Sequence, residues 1–287
     1  MSKSPNIKIF VAHHKPWLIY EDDIFVPIHV WKKNSKYDLW ILWDDTWDNI
    51  SEKNNGYCEL TAQYWVWKNY DLSDVDYVWF CHYRRYMTYN YTPKPFVPFN
   101  AFKKDSNLYR SIIYFFYYLF GIEYETKFSQ SVIVDLSSRV KNFISDKNSD
   151  IFLPKRWIVR KPYHHMAIEN HKAWEIMDNV FYKNFPKYYE TFNKMENSLL
   201  CSFWNIFIMK KELFLEYEKL QFWLLLDFEK ELIKHWMWDE AIANGNWWIH
   251  TRVMWYISER FPCIFAEHQK KENRKNINYD ANLLFFY

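Results

Sequence analysis

The chain has 287 residues, with 37 Lys and Arg against 35 Asp and Glu, a formal net charge of +2. That balance produces no global field, so no nucleic-acid partner is indicated and any positive site must be local. The length fits one large α/β domain with its own core. Cys58, Cys81, Cys201 and Cys263 show no paired spacing, and MSKSP leads into a strand-like segment without an apolar leader, so a reducing cytoplasm is expected.

In chain order, 7–12 (IKIFVA) reads as a first strand, with His13, His14, Lys15 and Pro16 as the loop leaving its carboxyl end. Residues 37–43 read as a second strand feeding an acidic turn with Asp44, Asp45 and Asp48. Within 59–68, Leu60, Tyr64 and Trp67 recur at helical spacing. Residues 75–81 form an apolar run of buried-strand length that empties into His82, Tyr83, Arg84, Arg85 and Tyr86. Strands alternating with helical patterns predict a mainly parallel sheet flanked by helices. Ligands of such sheets bind beyond the carboxyl ends of the strands, where two guanidinium forks suit a diphosphate or carboxylate. The ordinary alternative for Arg84 and Arg85 is a surface ion pair.

Further along, Pro93, Pro95 and Pro98 break regularity, and 109–120 is aromatic-rich behind Lys103 and Lys104. That segment is shorter than the roughly 20 residues a span requires; it reads as a buried helix or as one lying on a membrane surface. The stretch 93–150 is expected to be a variable insertion, on the acceptor side or facing a membrane. Residues 203–214 read as a strand running into a helix, 217–234 as an amphipathic helix, and 269–287 as a mobile basic C-terminal tail after a single domain at 1–268.

The segment 44–86, DDTWDNISEKNNGYCELTAQYWVWKNYDLSDVDYVWFCHYRRY, resembles bacterial capsular and exopolysaccharide glycosyltransferases. Their pattern runs Asp-Asp-Thr-Gly-Asp-Asn-Ile-Ser, then Glu-Leu-Thr-Ala-x-Tyr-Trp-x-Trp-Lys-Asn, then His-Tyr-Arg-Arg-Tyr. Residues 7–16, 205–209 and Arg252, Tyr256, Glu259 and Arg260 agree with it as well. The resemblance implies a GT-A-like, Rossmann-like fold and inverting hexosyl transfer, with some members similar to galactofuranose transferases. It implies a UDP-sugar or similar nucleoside-diphosphate donor and a lipid-linked capsular, exopolysaccharide or O-antigen acceptor at the inner face of a membrane. The competing expectation is a non-catalytic glycan-binding or scaffold protein, consistent with 22% aromatic residues.

An inverting transfer needs a base for the acceptor hydroxyl, and Asp44, Asp45, Glu259 and His165 are the candidates. Donor contacts are expected from His13, His14, Lys15, Asp48, His82, Arg84, Arg85, Asn205, Arg252 and Arg260. Three acids within five residues repel one another unless a ligand lies between them, although Asp and Asn are also ordinary turn formers and caps. Arg252 and Arg260, eight apart, would share one helix face as phosphate ligands or as an internal ion pair. Glu59 is expected either to cap the amino end of the helix it precedes or to reach the site, with capping preferred. Where many such transferases carry Asp-X-Asp, this chain has His82 to Arg85, so no metal ligand is assigned; Mn or Mg held by the acidic turn stays open. His164, His165 and His171 lack the Cys partner or tight pair that zinc would require.

Three glycines against 17 tryptophans is a further anomaly, since glycine averages about 7% of residues. Trp31, Trp43, Trp47, Trp79 and Trp255 stand where the resembled pattern has glycine, whereas Trp65 and Trp67 stand where it has tryptophan. UGA codons read as glycine in the source would produce this; the alternative is a tryptophan-rich variant with a reshaped sugar pocket.

Overall fold

The computed structural model describes residues 5–89, 123–126, 129–158, 171–198, 200–202, 205–242 and 253–286. Its parallel wing is built from β1 (Ile7–His13), β2 (Phe25–His29), β3 (Leu42–Trp43) and β4 (Tyr77–His82). β1 lies between β2 and β4, and β3 extends the wing beyond β2. Alternation divides each central strand between two cores. Phe10, Ala12, Val78 and Phe80 face one layer, and Ile7, Ile9, Val11, Tyr77 and Trp79 face the other. Because both faces are covered, these strands read as unbroken apolar runs.

The first layer is formed largely by α2 (Leu60–Asn69), α6 (Lys211–Lys234) and α9 (Phe261–Glu272), with short α1 (Asn54–Tyr57), α7 (Trp238–Ile242) and α8 (Val253–Ser258) between them and α4 (His171–Asn184) and α5 (Pro186–Glu196) outside. α3 (Gln130–Lys147) covers the opposite face through Ile133, Leu136, Val140 and Ile144. Ser129 caps it by accepting from the Val132 N–H, and Asn148 ends it in the left-handed region. The 93–150 stretch is therefore not all insertion: from 129 onward it is core, because the apolar stripe of α3 needs the sheet to cover it. Residues 93, 95, 98 and 109–120 lie outside those described. No described helix is long and apolar enough to cross a membrane.

The sheet is mixed. β10 (Phe207–Lys210) runs antiparallel to β4 and to β7 (Ile151–Pro154), and β5 (Arg85–Thr88) turns back from β4. β11 (Ile277–Phe286) runs antiparallel to β5 and parallel to β7 and β6 (Glu123–Thr126), while β8 (Trp157–Ile158) and β9 (Leu200–Cys201) form a separate pair. The pairings β4–β10–β7–β11–β5–β4 close on themselves, so a barrel-like ring stands beside the parallel wing.

Two expectations are corrected here. The second strand is β2, not 37–43, of which only Leu42–Trp43 pairs. Proline discourages a strand reading, but Pro27 precedes the two residues that meet β3 and lies where one side of β2 is open. The tail is also structured. Residues up to Glu272 finish α9, and β11 buries Ala281, Leu283 and Leu284 within the ring.

Candidate functional site

The parallel wing ends in a row of imidazoles. His13 closes β1, His29 lies opposite it at the end of β2, and His82 ends β4 opposite Ala12. His14 follows, its ring 5.9 Å from that of His82 and 5.3 Å from that of buried Tyr83. Burial, then the neighbouring His14 and His29, lowers the His13 pKa to about 3. Burial, then Arg85, pushes His82 well below its usual value, and burial lowers His29 too. These rings are neutral at physiological pH, and the Nδ1 atoms of His13 and His29 are buried without a hydrogen-bond partner. Lys15 is half-buried just beyond them.

A tight turn joins β4 to β5 and carries the arginines. Arg84 is exposed at the turn, its guanidinium 5.2 Å from the Tyr83 ring. Arg85 pairs with His82 in the ladder and lies between two parts of the site. Its charge reaches His82 on one side and Glu259 on the other. Glu259 is buried in the turn after α8, with Oε1 lacking a hydrogen-bond partner. Burial first, then the Glu59 charge, raises its pKa well above the usual carboxylate range, while Arg85 draws it partly back. Beside it, Asn205 Nδ2 donates to Ser258 Oγ at 3.0 Å and leaves Oδ1 buried without a partner. Glu59 makes no cap; it accepts from Trp255 Nε1 at 2.7 Å. Its side chain is drawn to the site and away from its own helix end.

The acidic turn divides. Asp44 is fully buried, and each of its oxygens takes two hydrogen bonds: Oδ2 from Trp31 N (3.0 Å) and Thr61 Oγ1 (2.6 Å), Oδ1 from Lys32 N (3.1 Å) and Ser51 Oγ (2.7 Å). Burial raises its pKa against the lowering pull of these bonds. Such a carboxylate ties loops together, and its lone pairs are already committed within the protein. Asp48 is exposed and accepts from Tyr64 OH at 2.9 Å, while its backbone pairs with Asn69, so it secures the turn to α2. Asp45 alone keeps a buried, unpartnered oxygen, Oδ1, and its charge is felt by His29.

Arg260 belongs elsewhere. It is buried 3.8 Å from Glu196 Oε1 and 4.8 Å from the Trp174 ring. The single helix expected for 252–260 is broken between α8 and α9. Arg252, His164 and His165 lie outside the described residues, and His171 opens α4. Among the described residues no group of three or more His, Cys, Asp or Glu could hold a metal ion. Sequence reasoning missed His29, because β2 was not read as a strand, and missed Tyr83 and Ser258; for Glu59 the reading that reached the site, not the cap, is the one its contact with Trp255 follows. The HYRRY run was the only available signal for Tyr83.

The fold is similar to that of WbbM, a bifunctional glycosyltransferase solved in its apo form, with a TM-score of 0.74 and 24% identity over 98% of this chain and 45% of that one. This chain thus spans less than half of WbbM, and the likeness is one of fold. No curated protein matches the chain. The family described as a domain of unknown function, DUF4422, matches residues 8–271, and with that match over most of its length the chain belongs to this family.

Proposed function

We propose that the chain is a glycosyltransferase that moves a sugar from a nucleoside-diphosphate donor, UDP-linked by preference, to a lipid-linked capsular, exopolysaccharide or O-antigen glycan. Galactofuranose is one candidate sugar. The observation that carries this reading is the convergence at one sheet edge of Arg84, Arg85 and the neutral imidazoles with the unpartnered buried oxygens of Glu259 and Asn205. Cationic forks beside a desolvated carboxyl separate the two tasks of group transfer: neutralising a departing diphosphate and taking a proton from the incoming hydroxyl. The likeness to WbbM supports the same reading at the level of fold.

In this mechanism Arg84 and Arg85 hold the diphosphate, with Lys15 and His14 at its margin, and His13 and Asp45 lie toward the nucleoside and sugar. Glu259 takes the acceptor proton as the oxygen attacks the anomeric carbon from the face opposite the leaving diphosphate, inverting that centre. A carboxylate of raised pKa is the stronger base once ionised, and the Arg85 charge favours its ionised form. If Mn or Mg takes part, Asp45 is the acidic-turn residue with an uncommitted oxygen. The test is release of nucleoside diphosphate from a panel of nucleotide sugars with a lipid-linked acceptor. Turnover in the wild type and its loss in Glu259→Gln, with donor binding kept, are expected; no turnover with any donor would favour the glycan-binding alternative.

A further inference from the structure

Among the described residues φ is positive at seven non-glycine positions: Trp31 (φ 63°), Trp40 (54°), Trp47 (48°), Cys58 (51°), Asn148 (43°), Trp236 (58°) and Arg274 (51°). Four of the seven are tryptophan. In that region a Cβ crowds the following carbonyl, so glycine takes it by default, Asn and Asp come next, and a bulky side chain is an outlier. Trp236 displays the requirement most fully. It follows the end of α6, where the Met237 N–H reaches back to Leu232 O (2.9 Å) and its own N–H to Ile233 O (3.0 Å). That paired reach-back ends helices with glycine at the left-handed position.

Three of the four indoles find little packing. Trp236 is 96% exposed, Trp40 84% and Trp47 78%, the last touching Trp65 at 6.0 Å between centroids; the Trp31 Nε1 is buried without a partner. Trp65 and Trp67 differ in every respect. Both lie in helical backbone; Trp65 Nε1 donates to Thr46 O at 3.0 Å, and Trp67 stacks on Phe222 at 5.8 Å. Positive φ with an exposed indole marks Trp40, Trp47 and Trp236, positive φ with a half-buried indole marks Trp31, and packing in ordinary helical backbone marks Trp65 and Trp67.

We infer that the protein made in its source organism carries glycine where this sequence has Trp31, Trp40, Trp47 and Trp236, the codons being UGA read as glycine. This stands independently of the transferase reading. Trp40 and Trp236 are reached by conformation alone. Trp43, Trp79 and Trp255 sit in strand or helix, so conformation makes no demand for glycine there. One consequence bears on the site: Trp31, whose N–H donates to Asp44, and Trp47, which lies in the turn that carries Asp45, would not serve there as a sugar-stacking platform.

The experiment reads the codons, determines peptide masses of the protein isolated from its source, and compares two recombinant forms. UGA at the four positions, UGG at Trp65 and Trp67, and native peptides lighter by the indolylmethyl groups are expected. The fourfold variant Trp31→Gly, Trp40→Gly, Trp47→Gly, Trp236→Gly should melt at least about 5 °C higher, and Trp65→Gly with Trp67→Gly should melt lower. UGG codons at the four sites, native peptides of tryptophan mass, or a fourfold variant that melts no higher would overturn the inference.

Discussion

At Glu259 one uncommitted oxygen and one nearby guanidinium set the reactivity of the group. Replacing it with Gln keeps shape and, in the proposed mechanism, removes the base, so kcat should fall by at least about 100-fold while donor affinity stays near wild type, as measured by turnover beside calorimetry. The raised pKa also fixes a sign. The base works ionised, so kcat/KM should climb with pH through a limb displaced above the usual carboxylate range, and Arg85→Ala should displace that limb further upward. An unmoved limb in Arg85→Ala would separate the two residues. For Arg84, loss of a charge-assisted fork costs about 1.5–3 kcal/mol of nucleoside-diphosphate binding, and Arg84→Lys should recover little because a point charge does not reproduce a planar fork. Wild-type affinity in Arg84→Ala would remove the diphosphate assignment. The motif made Arg84, Arg85 and the histidines legible as a group, whereas nothing in DDTWD distinguishes the buried tie Asp44 from the uncommitted Asp45. Which carboxylate faces inward depends on the N–H groups of Trp31 and Lys32, thirteen and twelve residues earlier in the chain.

At the scale of elements, the Asp44 knot joins the loop after β2, the 3-10 turn at Ser51–Lys53 and α2 through one carboxylate. Asp44→Ala strands four donors at once and should lower stability by at least about 3 kcal/mol, a fall of roughly 6 °C or more in Tm, with Asp44→Asn intermediate. A Tm within 1 °C of wild type, to order of magnitude, would show that the loops need no tie. Strands β1 and β4 were readable as short apolar runs of strand length, and helix α2 by the helical spacing of Leu60, Tyr64 and Trp67. β2 was hidden by Pro27, and β11 by a polar lead-in whose partners are 120 to 200 residues away in sequence. The break between α8 and α9 falls at Glu259 and Arg260, where side-chain spacing alone gives no warning that helical phase is lost.

The whole molecule responds to acid through its buried imidazoles. His13 has a folded-state pKa near 3 against 6.5 unfolded, so its contribution is fully present above 6.5 and is lost as pH falls from there toward 3. His82 and His29 shift in the same direction. Buried Glu196, Glu218 and Glu259, raised well above the usual carboxylate range, act with the opposite sign as pH falls, so the imidazole share is read by difference. Below about pH 6.5 the denaturant midpoint of His13→Gln should fall less than that of wild type, and an unchanged slope would mean that the site opens to water before this ring charges.

The closed ring and the open wing also make the two sides of the site mechanically unequal. Arg85 is stitched into a hoop of five strands that has no free end to splay, whereas Asp45 hangs beyond a two-residue strand held from one side. The amides of the two sides should therefore exchange at different rates, slow in β10 and β11 and fast at Leu42 and Trp43, and in the proposed mechanism the arginines that would hold the diphosphate lie on the slow side.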